Sequence, residues 1–177
     1  IATPLIGMFN ASNVLAATLS GYAAGVPHRA IKEGIERVKG VPGRLERVAN
    51  DRGISVFVDY AHTPDAIKNV LSLLGHLKKG KLIVVFGCGG NRDAAKRPIM
   101  GALASRLADE VIITSDNPRN ENPARIIADI ARGAEGKRYR IIEDRKEAIF
   151  ESIRAARPGD VVLVAGKGHE DYQIVGD

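Results

Sequence analysis

Several residues whose side chains suit the binding of an amino acid lie in polar loops of this sequence. Arg92 and Arg119 carry guanidinium groups, which hold a carboxylate through paired hydrogen bonds. Glu170 can accept hydrogen bonds from an ammonium group, and Asn117 has both a donor and an acceptor. Each of these residues, taken alone, is more often an ordinary surface residue. Together they are the groups that a zwitterionic end of an amino acid requires.

The loop that carries Asn117 and Arg119, residues 115–123, is more polar and more rigid than an ordinary connection. Asn117 precedes a proline, which favours extended backbone at that position. Asn122 also precedes a proline, and this pair is typical of a helix N-cap followed by the first helical residue. We therefore predict a loop that is stiff at two points and presents Arg119 between them.

The elements that would position these loops alternate between strands and helices. Residues 82–86 and 161–164 are unbroken apolar runs, which are typical of strands buried on both faces of a parallel sheet. We predict strands near residues 54–58, 81–86, 110–114, 138–142 and 160–165, and helices near residues 64–77, 96–107, 123–131 and 144–155. This alternation predicts an α/β fold with a doubly wound, mostly parallel sheet.

The loops that follow the predicted strands differ from the loops that precede them. In a parallel sheet the following loops share the carboxyl edge, where ligands bind. The polar and glycine-rich loops are residues 59–64, 87–93, 115–123 and 166–171. The loops that enter strands, residues 78–80 and 157–159, are plain turns. This asymmetry predicts a binding site at the carboxyl edge and favours a shared role for Arg92, Arg119 and Glu170.

Other residues of these loops allow narrower interpretations. The glycine-rich run 87–90 lets the backbone approach a ligand, but Arg92 stands where a dinucleotide fingerprint needs a third glycine. No GxxxxGK[ST] phosphate loop occurs in the sequence. We interpret Cys88 as a packing residue rather than a nucleophile. His62 is interpreted as a turn residue or a ligand contact, in preference to a catalytic base.

The first 40 residues have a different pattern from the rest. Residues 10–25 have helical spacing, and a second helix is predicted to begin at Pro27. Residues 39–43 are rich in glycine and proline and form the best linker in the chain. We therefore predict two parts, residues 1–40 and residues 41–177. The first residue, Ile1, is not a natural start, so we expect a piece of a longer protein.

Composition limits the class of protein. The apolar content of 45% and the charged content of 27% are values of a globular chain. The single cysteine excludes an internal disulfide and a cysteine-based zinc cluster, and it fits a reducing cytoplasm. The net charge of +5 fits anionic ligands, whereas dispersed basic residues and 5% aromatics disfavour nucleic acid. No apolar run approaches the length of a membrane-spanning helix. We also expect the protein to be a monomer.

The motifs in these loops, taken together, resemble those of the Mur ligases. The motifs are residues 57–64 (FVDYAHTP), 87–93 (GCGGNRD), 96–98 (KRP), 116–119 (DNPR) and 166–173 (GKGHEDYQ). The Asp-Asn-Pro-Arg loop resembles that of members that use meso-diaminopimelate. The resemblance implies that residues 1–40 end a central ATP-binding domain. It also implies that residues 41–177 are most of a Rossmann-like last domain, which brings the incoming amino acid.

The resemblance also implies roles for individual residues. Those matching a meso-diaminopimelate site are Arg92, Asp116, Asn117, Pro118, Arg119, Gly166 and Glu170. In this match the two arginines and Asn117 hold the distal carboxylate, while the Gly166 backbone and Glu170 receive the distal ammonium. Those matching an ATP site are Asn10, Asn13, Arg44 and Asp59.

The reaction implied by the resemblance joins meso-diaminopimelate to UDP-N-acetylmuramoyl-L-alanyl-D-glutamate through an acyl phosphate, with ATP and Mg²⁺. The phosphate loop and the metal ligands would lie outside this chain, so we predict that the chain alone is inactive. Two alternatives remain open. One is a relative that adds L-lysine, and the other is a non-catalytic amino-acid-binding module.

Overall fold

A computed structural model describes residues 1–134 and 138–176 of the chain. The chain divides into two compact units, residues 1–41 and residues 42–177. No helix in these described ranges is both long enough and apolar enough to cross a membrane. The assignment of the first unit to an ATP-binding domain stays a prediction.

The first unit contains two helices, α1 (Met8–Ala23) and α2 (His28–Arg37). Gly25 adopts a φ of 73° between them, a left-handed conformation that glycine accepts without strain. Pro27 is the N-cap of α2 rather than its first residue. Ile31 of α2 packs closely against Gly21 of α1. A Cβ added to Gly21 would lie only 3.0 Å from Ile31 Cγ1.

The second unit is built on a mixed sheet in which parallel pairs predominate. Its strands are β1 (Glu46–Val48), β2 (Ser55–Asp59), β3 (Leu82–Phe86), β4 (Glu110–Ile113), β5 (Tyr139–Ile141) and β6 (Val161–Ala165). Its helices are α3 (Pro64–Leu77), α4 (Lys96–Leu107), α5 (Pro123–Gly133) and α6 (Arg145–Ala155). Among the described residues the strand order is β1-β2-β6-β3-β4-β5, and β1 alone is antiparallel to its neighbour.

The helices lie on both faces of this sheet. One core cluster joins Ala148 on α6 to alternate residues of the central strands, including Ile83 and Val85. Successive strand residues point to opposite faces, so Val84 and Phe86 face the other layer, in which α4 packs against α3 and α5. The chain runs through β2, β3, β4 and β5 in one direction and then returns to β6, which places α6 on the opposite face. The predicted doubly wound α/β fold is confirmed.

The strand register brings the ends of the parallel strands to one edge. Asp59 at the end of β2 pairs with Ala165 at the end of β6. Phe86 at the end of β3 pairs with Ile113 at the end of β4. The four polar loops therefore begin at the same edge, and β6, which the chain reaches by turning back after β5, lies between β2 and β3. Ligands of open α/β sheets bind outside the carboxyl ends of the strands.

Candidate functional site at the carboxyl edge

The loop after β4 is fixed from within and from a neighbouring loop. The Asn117 N–H donates to Asp116 Oδ1 at 2.7 Å, and the Asn117 carbonyl accepts the Gly90 N–H at 2.8 Å. Asp116 is buried, and so is Pro118. These two residues therefore shape the loop from inside it, and a direct contact of either with a ligand stays a prediction.

The same loop is held on its other side by residues 173–176. The Arg119 N–H donates to the Ile174 carbonyl at 3.0 Å, and the Arg119 carbonyl accepts the Gly176 N–H at 3.0 Å. Gln173 donates through its side-chain amide to the Asp116 carbonyl. Arg119 itself has a φ of 51°, which is uncommon for a residue with a side chain. These bonds hold that conformation and aim the arginine.

The guanidinium of Arg119 is half-buried over the glycine-rich loop. Its Nη1 donates to the Gly90 carbonyl at 2.9 Å and to the Asn117 carbonyl at 3.4 Å. A Cβ added to Gly89 would lie 3.0 Å from Arg119 Nη1 and 3.8 Å from Arg92 Cγ. Both predicted arginines thus pass close to the same glycine, where a ligand can approach the backbone.

Arg92 is the less constrained cation of this pair. Its side chain is exposed and makes no hydrogen bond or ion pair with any residue in the described ranges. A guanidinium without an internal partner can bind an anion without first breaking a protein contact. The two arginines therefore form a cationic pair at the edge of the sheet.

Glu170, on the loop after β6, is held by three groups. Tyr60 donates its hydroxyl to Oε1 at 3.1 Å, and the Lys167 ammonium donates to Oε2 at 2.9 Å. The Asn117 amide nitrogen donates to the same Oε2 at 3.4 Å. Asn117 therefore links the arginine loop to the carboxylate that was predicted to bind an ammonium group.

The pKa of the Glu170 carboxyl lies below its usual value, chiefly because Lys167 donates a hydrogen bond to the charged form. The same carboxylate raises the pKa of the Tyr60 hydroxyl, since that hydroxyl donates to it. Glu170 is thus a carboxylate at neutral pH, as an ammonium-binding group must be. The two arginines and Glu170 give the site both signs of charge.

Lys167 is a residue of the site that was not predicted from the sequence. Its side chain is 7% exposed, and its ammonium donates to Asn117 Oδ1 at 2.8 Å as well as to Glu170. The ammonium also lies 5.2 Å from the centre of the Tyr172 ring. The spacing of three residues between Lys167 and Glu170 is the one local feature of the sequence that indicates their ion pair. The other partner of Lys167, Asn117, lies on a different loop, 50 residues away in sequence.

Gly166 begins the loop after β6 in a conformation that favours glycine, with a φ of 111°. Its N–H donates to the Asp59 carbonyl at 3.0 Å, and an added Cβ would lie 2.9 Å from Asp116 Oδ2. Gly166 therefore sits between the end of β2 and the arginine loop, close to Glu170 in the chain. The predicted contact of its backbone with an ammonium group stays a prediction.

The residues predicted to bind ATP lie in both units, and their role stays a prediction. Asp59 is buried, and its two oxygens accept the N–H groups of Leu45 at 2.6 Å and Ala61 at 2.8 Å. Burial raises the pKa of this carboxyl, although those N–H groups oppose the change. Arg44 is exposed, and its guanidinium lies 4.7 Å from the centre of the Tyr60 ring.

In the first unit, Asn10 and Asn13 contact each other. The Asn13 side-chain nitrogen donates to Asn10 Oδ1 at 3.3 Å, and the Asn10 side-chain nitrogen donates to the Ile6 carbonyl at 2.8 Å. The two side chains thus project from one side of the first turns of α1, as their spacing predicted.

His62 is exposed in the turn after β2, which leaves both interpretations open, whereas Cys88 is buried. His62 Nδ1 lies 2.7 Å from the Tyr60 carbonyl, and its ring meets the Tyr60 ring edge-on at 4.8 Å. Cys88 is buried against Met100, and burial raises the pKa of its thiol to about 12. Its burial against Met100 supports the interpretation of Cys88 as a packing residue.

A further cation, Arg97 on α4, ties the arginine loop to the helices. It donates to Glu121 at 2.9 Å and to Asp129 on α5 at 3.0 Å, and its side chain is 3% exposed. Glu121 in turn accepts the Asn91 N–H. In the sequence Arg97 belongs to the KRP motif at residues 96–98, which gives no sign of these contacts. Its role in the fold is to hold the glycine-rich loop, the arginine loop and α5 together.

A cavity of about 420 Å³ opens beside Glu170, on the α6 side of the sheet. Lys167, Tyr172 and Gln173 line it together with residues of α6, whereas neither of the two predicted arginines is among its lining residues. In the described part of the chain, no group of three or more His, Cys, Asp or Glu side chains could hold a metal ion.

Comparison with known proteins gives the family. A family model described as Mur ligase, glutamate ligase domain, matches residues 43–168. The chain belongs to the Mur ligase family. This match covers most of the second unit, from the turn before β1 to the loop that carries Lys167.

Individual Mur ligases are similar in sequence to this chain over nearly its whole length. The UDP-N-acetylmuramoyl-L-alanyl-D-glutamate–2,6-diaminopimelate ligase of Halalkalibacterium halodurans is 53% identical over 169 residues, which are 96% of this chain and 35% of that protein. The enzyme of the same name from Thermosynechococcus vestitus is 54% identical over 177 residues, covering 98% of this chain and 36% of that protein. The chain thus spans about a third of the length of these relatives.

A solved structure gives the same comparison in three dimensions. A structure of a UDP-N-acetylmuramoyl-L-alanyl-D-glutamate–2,6-diaminopimelate ligase superposes with a TM-score of 0.73 and 44% identity. It covers 99% of this chain, which corresponds to 36% of that protein.

Proposed function

We propose that this chain belongs to an ATP-dependent ligase that adds meso-diaminopimelate to UDP-N-acetylmuramoyl-L-alanyl-D-glutamate in peptidoglycan precursor synthesis. The high identity to ligases of that name supports the proposal. So does the charge pattern of the carboxyl edge. The reaction belongs in the cytoplasm, where ATP and a UDP-linked precursor are available.

The observation that carries this proposal is the joint placement of two cations, one amide and one carboxylate. Arg92 and Arg119 both approach the glycine-rich loop, and Asn117 bridges from Arg119 to Glu170. A distal carboxylate of meso-diaminopimelate would be held by the two guanidiniums and the Asn117 amide. The distal ammonium would be held by Glu170 and the Gly166 carbonyl.

The same placement supports a choice of meso-diaminopimelate over L-lysine. Lysine has the distal ammonium but lacks the distal carboxylate, so it would leave two guanidiniums without an anion. A site built to bind a polar group rejects an analogue that lacks it, because the protein groups are then left unpaired. The lysine-adding relative is therefore disfavoured.

The chemical step would be mostly a matter of positioning. ATP would convert the glutamyl carboxylate of the precursor into an acyl phosphate, and the amine of meso-diaminopimelate would displace phosphate from it. Holding the far end of the diamino acid fixes the attacking amine in place, which lowers the entropic part of the barrier. Asn10, Asn13, Arg44 and Asp59 are proposed to contact ATP. Mg²⁺ would act with ATP in the full-length protein, and its ligands are proposed to lie outside this chain.

The proposal is tested by a ligase assay on the full-length protein that contains this chain. We expect phosphate release from ATP that requires both the UDP-linked dipeptide and meso-diaminopimelate. Release that is equally fast with L-lysine would instead favour the lysine-adding relative. Binding of the diamino acid without any ATP consumption would favour a non-catalytic binding module.

A further inference from the structure

The orientation of the Asn117 side-chain amide is determined by its surroundings. Its Oδ1 accepts hydrogen bonds from the Lys167 ammonium at 2.8 Å and from the Ile174 N–H at 2.9 Å. An ammonium and a backbone N–H are donors only, so both must meet the oxygen of the amide and not its nitrogen. The nitrogen therefore faces the opposite way, toward Glu170.

This orientation matters because the two ends of the amide recognise opposite groups. With Oδ1 occupied, one N–H of the Asn117 amide donates to Glu170 Oε2, and the other can donate to a ligand carboxylate. A flipped amide would present an oxygen and would repel the same carboxylate. Of the two hydrogen bonds to Asn117 Oδ1, the one from the Ile174 N–H comes from the backbone. The other is charged and comes from the Lys167 side chain, so a substitution at position 167 removes it.

Lys167 acts on Glu170 through the same ammonium. It donates to Oε2, while Tyr60 donates to Oε1 from the other side. These two donors, with the Asn117 amide nitrogen as a third, hold the carboxylate in place. Lys167 is 7% exposed and lies against Tyr172, so its side chain is largely enclosed by these partners.

We infer that Lys167 is a positioning residue for diamino-acid recognition. It fixes the orientation of the Asn117 amide, so that the N–H not bonded to Glu170 can donate to the ligand carboxylate. It also holds Glu170 where the ligand ammonium binds. This inference rests on the proposed function, since it concerns the same site. It adds a residue that has no direct ligand contact to the set that determines the choice of amino acid.

The test uses steady-state kinetics of the full-length ligase with Lys167→Met, which removes the ammonium and keeps the length of the side chain. We expect the KM for meso-diaminopimelate to rise roughly tenfold or more, as small misplacements of binding groups do, while the KM for ATP stays near its wild-type value. The preference for meso-diaminopimelate over L-lysine should fall as well. A purely structural ion pair would lower thermal stability and leave these ratios unchanged.

A matched control and a second variant sharpen the test. Lys146 lines the same cavity but is exposed and has no ion pair with a described residue, so Lys146→Met should behave as wild type. Lys167→Gln keeps one donor at the site and should change the KM in the same direction but less. The Lys167→Gln variant provides the test if the Lys167→Met variant does not fold. An unchanged KM for meso-diaminopimelate in a folded Lys167 variant would overturn the inference.

A double-mutant cycle separates this inference from the proposed function. If Lys167 acts partly through Asn117, Lys167→Met should raise the KM less in an Asn117→Ala background than in the wild type. Equal effects in both backgrounds would contradict the inference. If the wild-type protein fails to use meso-diaminopimelate at all, the proposed function fails first. If the wild type uses it and the Lys167 variants match the wild type, only the role of Lys167 fails.

Discussion

At the scale of single residues, Arg119 differs from an ordinary surface arginine in the number of hydrogen bonds that fix its orientation. Its backbone has a φ of 51° and is held by residues 173–176 on one side. Its guanidinium is held by two carbonyls on the other side. A side chain with this much support has lost its conformational freedom before a ligand arrives, which favours tight and selective binding.

Removal of this side chain gives a direct prediction. In the full-length protein, Arg119→Ala should raise the KM for meso-diaminopimelate, since truncating one member of a charged pair costs roughly 2–5 kcal/mol. That range corresponds to a rise of at least about thirtyfold. The KM for ATP should change little. Steady-state kinetics with each substrate varied in turn provide the measurement.

Arg125 on α5 provides the matched control for this substitution. It is exposed, and its side chain has no hydrogen bond or ion pair among the described residues. Arg125→Ala should therefore leave both constants near their wild-type values. A KM for meso-diaminopimelate that is the same in the Arg119 and Arg125 variants would show that Arg119 is not part of the site.

Lys167 could not be predicted from the sequence in the way that the other polar residues of the site were, because its contact is with a residue far away in the sequence. Arg92, Asn117, Arg119 and Glu170 were predicted because their types and their places after strands pointed to one edge. Lys167 was missed because its role depends on a bond to a loop 50 residues away. A lysine between two glycines has no local feature that reports this bond.

At the scale of elements, the glycine-rich loop and the arginine loop pack with no space between them. A Cβ added to Gly90 would lie 1.9 Å from the Pro118 carbonyl oxygen, and that oxygen belongs to backbone that cannot move independently. The Gly90 N–H also donates to the Asn117 carbonyl. Close approach of the backbone is therefore the reason for glycine at this position.

The predicted consequence is that Gly90→Ala separates the two loops. Overpacking of this kind costs about 1–3 kcal/mol of stability, and the displaced Arg119 should also raise the KM for meso-diaminopimelate. Gly75 in α3 is the control, since an added Cβ there meets no atom within 4 Å. Gly75→Ala should be neutral or stabilise by up to about 1 kcal/mol. Chemical denaturation that finds both variants equally stable would refute the close packing.

Most elements were predictable because their signals are local. The buried runs of β3 and β6 and the proline and N-cap pairs at the starts of α3 and α5 are visible in the sequence. The strand order was not, because it depends on which strands pair across the sheet. The placement of β6 between β2 and β3 brings the loop of Glu170 beside the loop of Asn117, and no local pattern reports it.

At the scale of the whole second unit, the charged groups that tie its loops together predict a response to acid. The pKa values of Glu121 and Asp129 lie below their usual values, in each case chiefly because Arg97 donates a hydrogen bond to the carboxylate. A carboxyl group with a lowered pKa in the folded state stabilises the fold at pH values above its unfolded pKa. That contribution is lost as the pH falls through the folded pKa.

Arg97→Met should remove this contribution. We expect a loss of roughly 1.5–3 kcal/mol of stability at neutral pH, the usual size for hydrogen bonds to charged groups. The difference between wild type and variant should shrink as the pH falls below about 4.5, the usual range of these carboxyl groups. Arg132, whose side chain is 68% exposed, is the control, and Arg132→Met should change stability little. Denaturation at several pH values measures the effect, and a difference that does not depend on pH would contradict it.

The central claim is that the carboxyl edge of this sheet selects a diamino acid by its distal carboxylate. Isothermal titration calorimetry of the full-length protein with meso-diaminopimelate and with L-lysine tests it most directly, because the two ligands share the distal amine and differ in that carboxylate. We expect meso-diaminopimelate to bind at least about tenfold more tightly, since one bidentate arginine contact exceeds about 1.4 kcal/mol. Equal affinity for the two amino acids would contradict the claim.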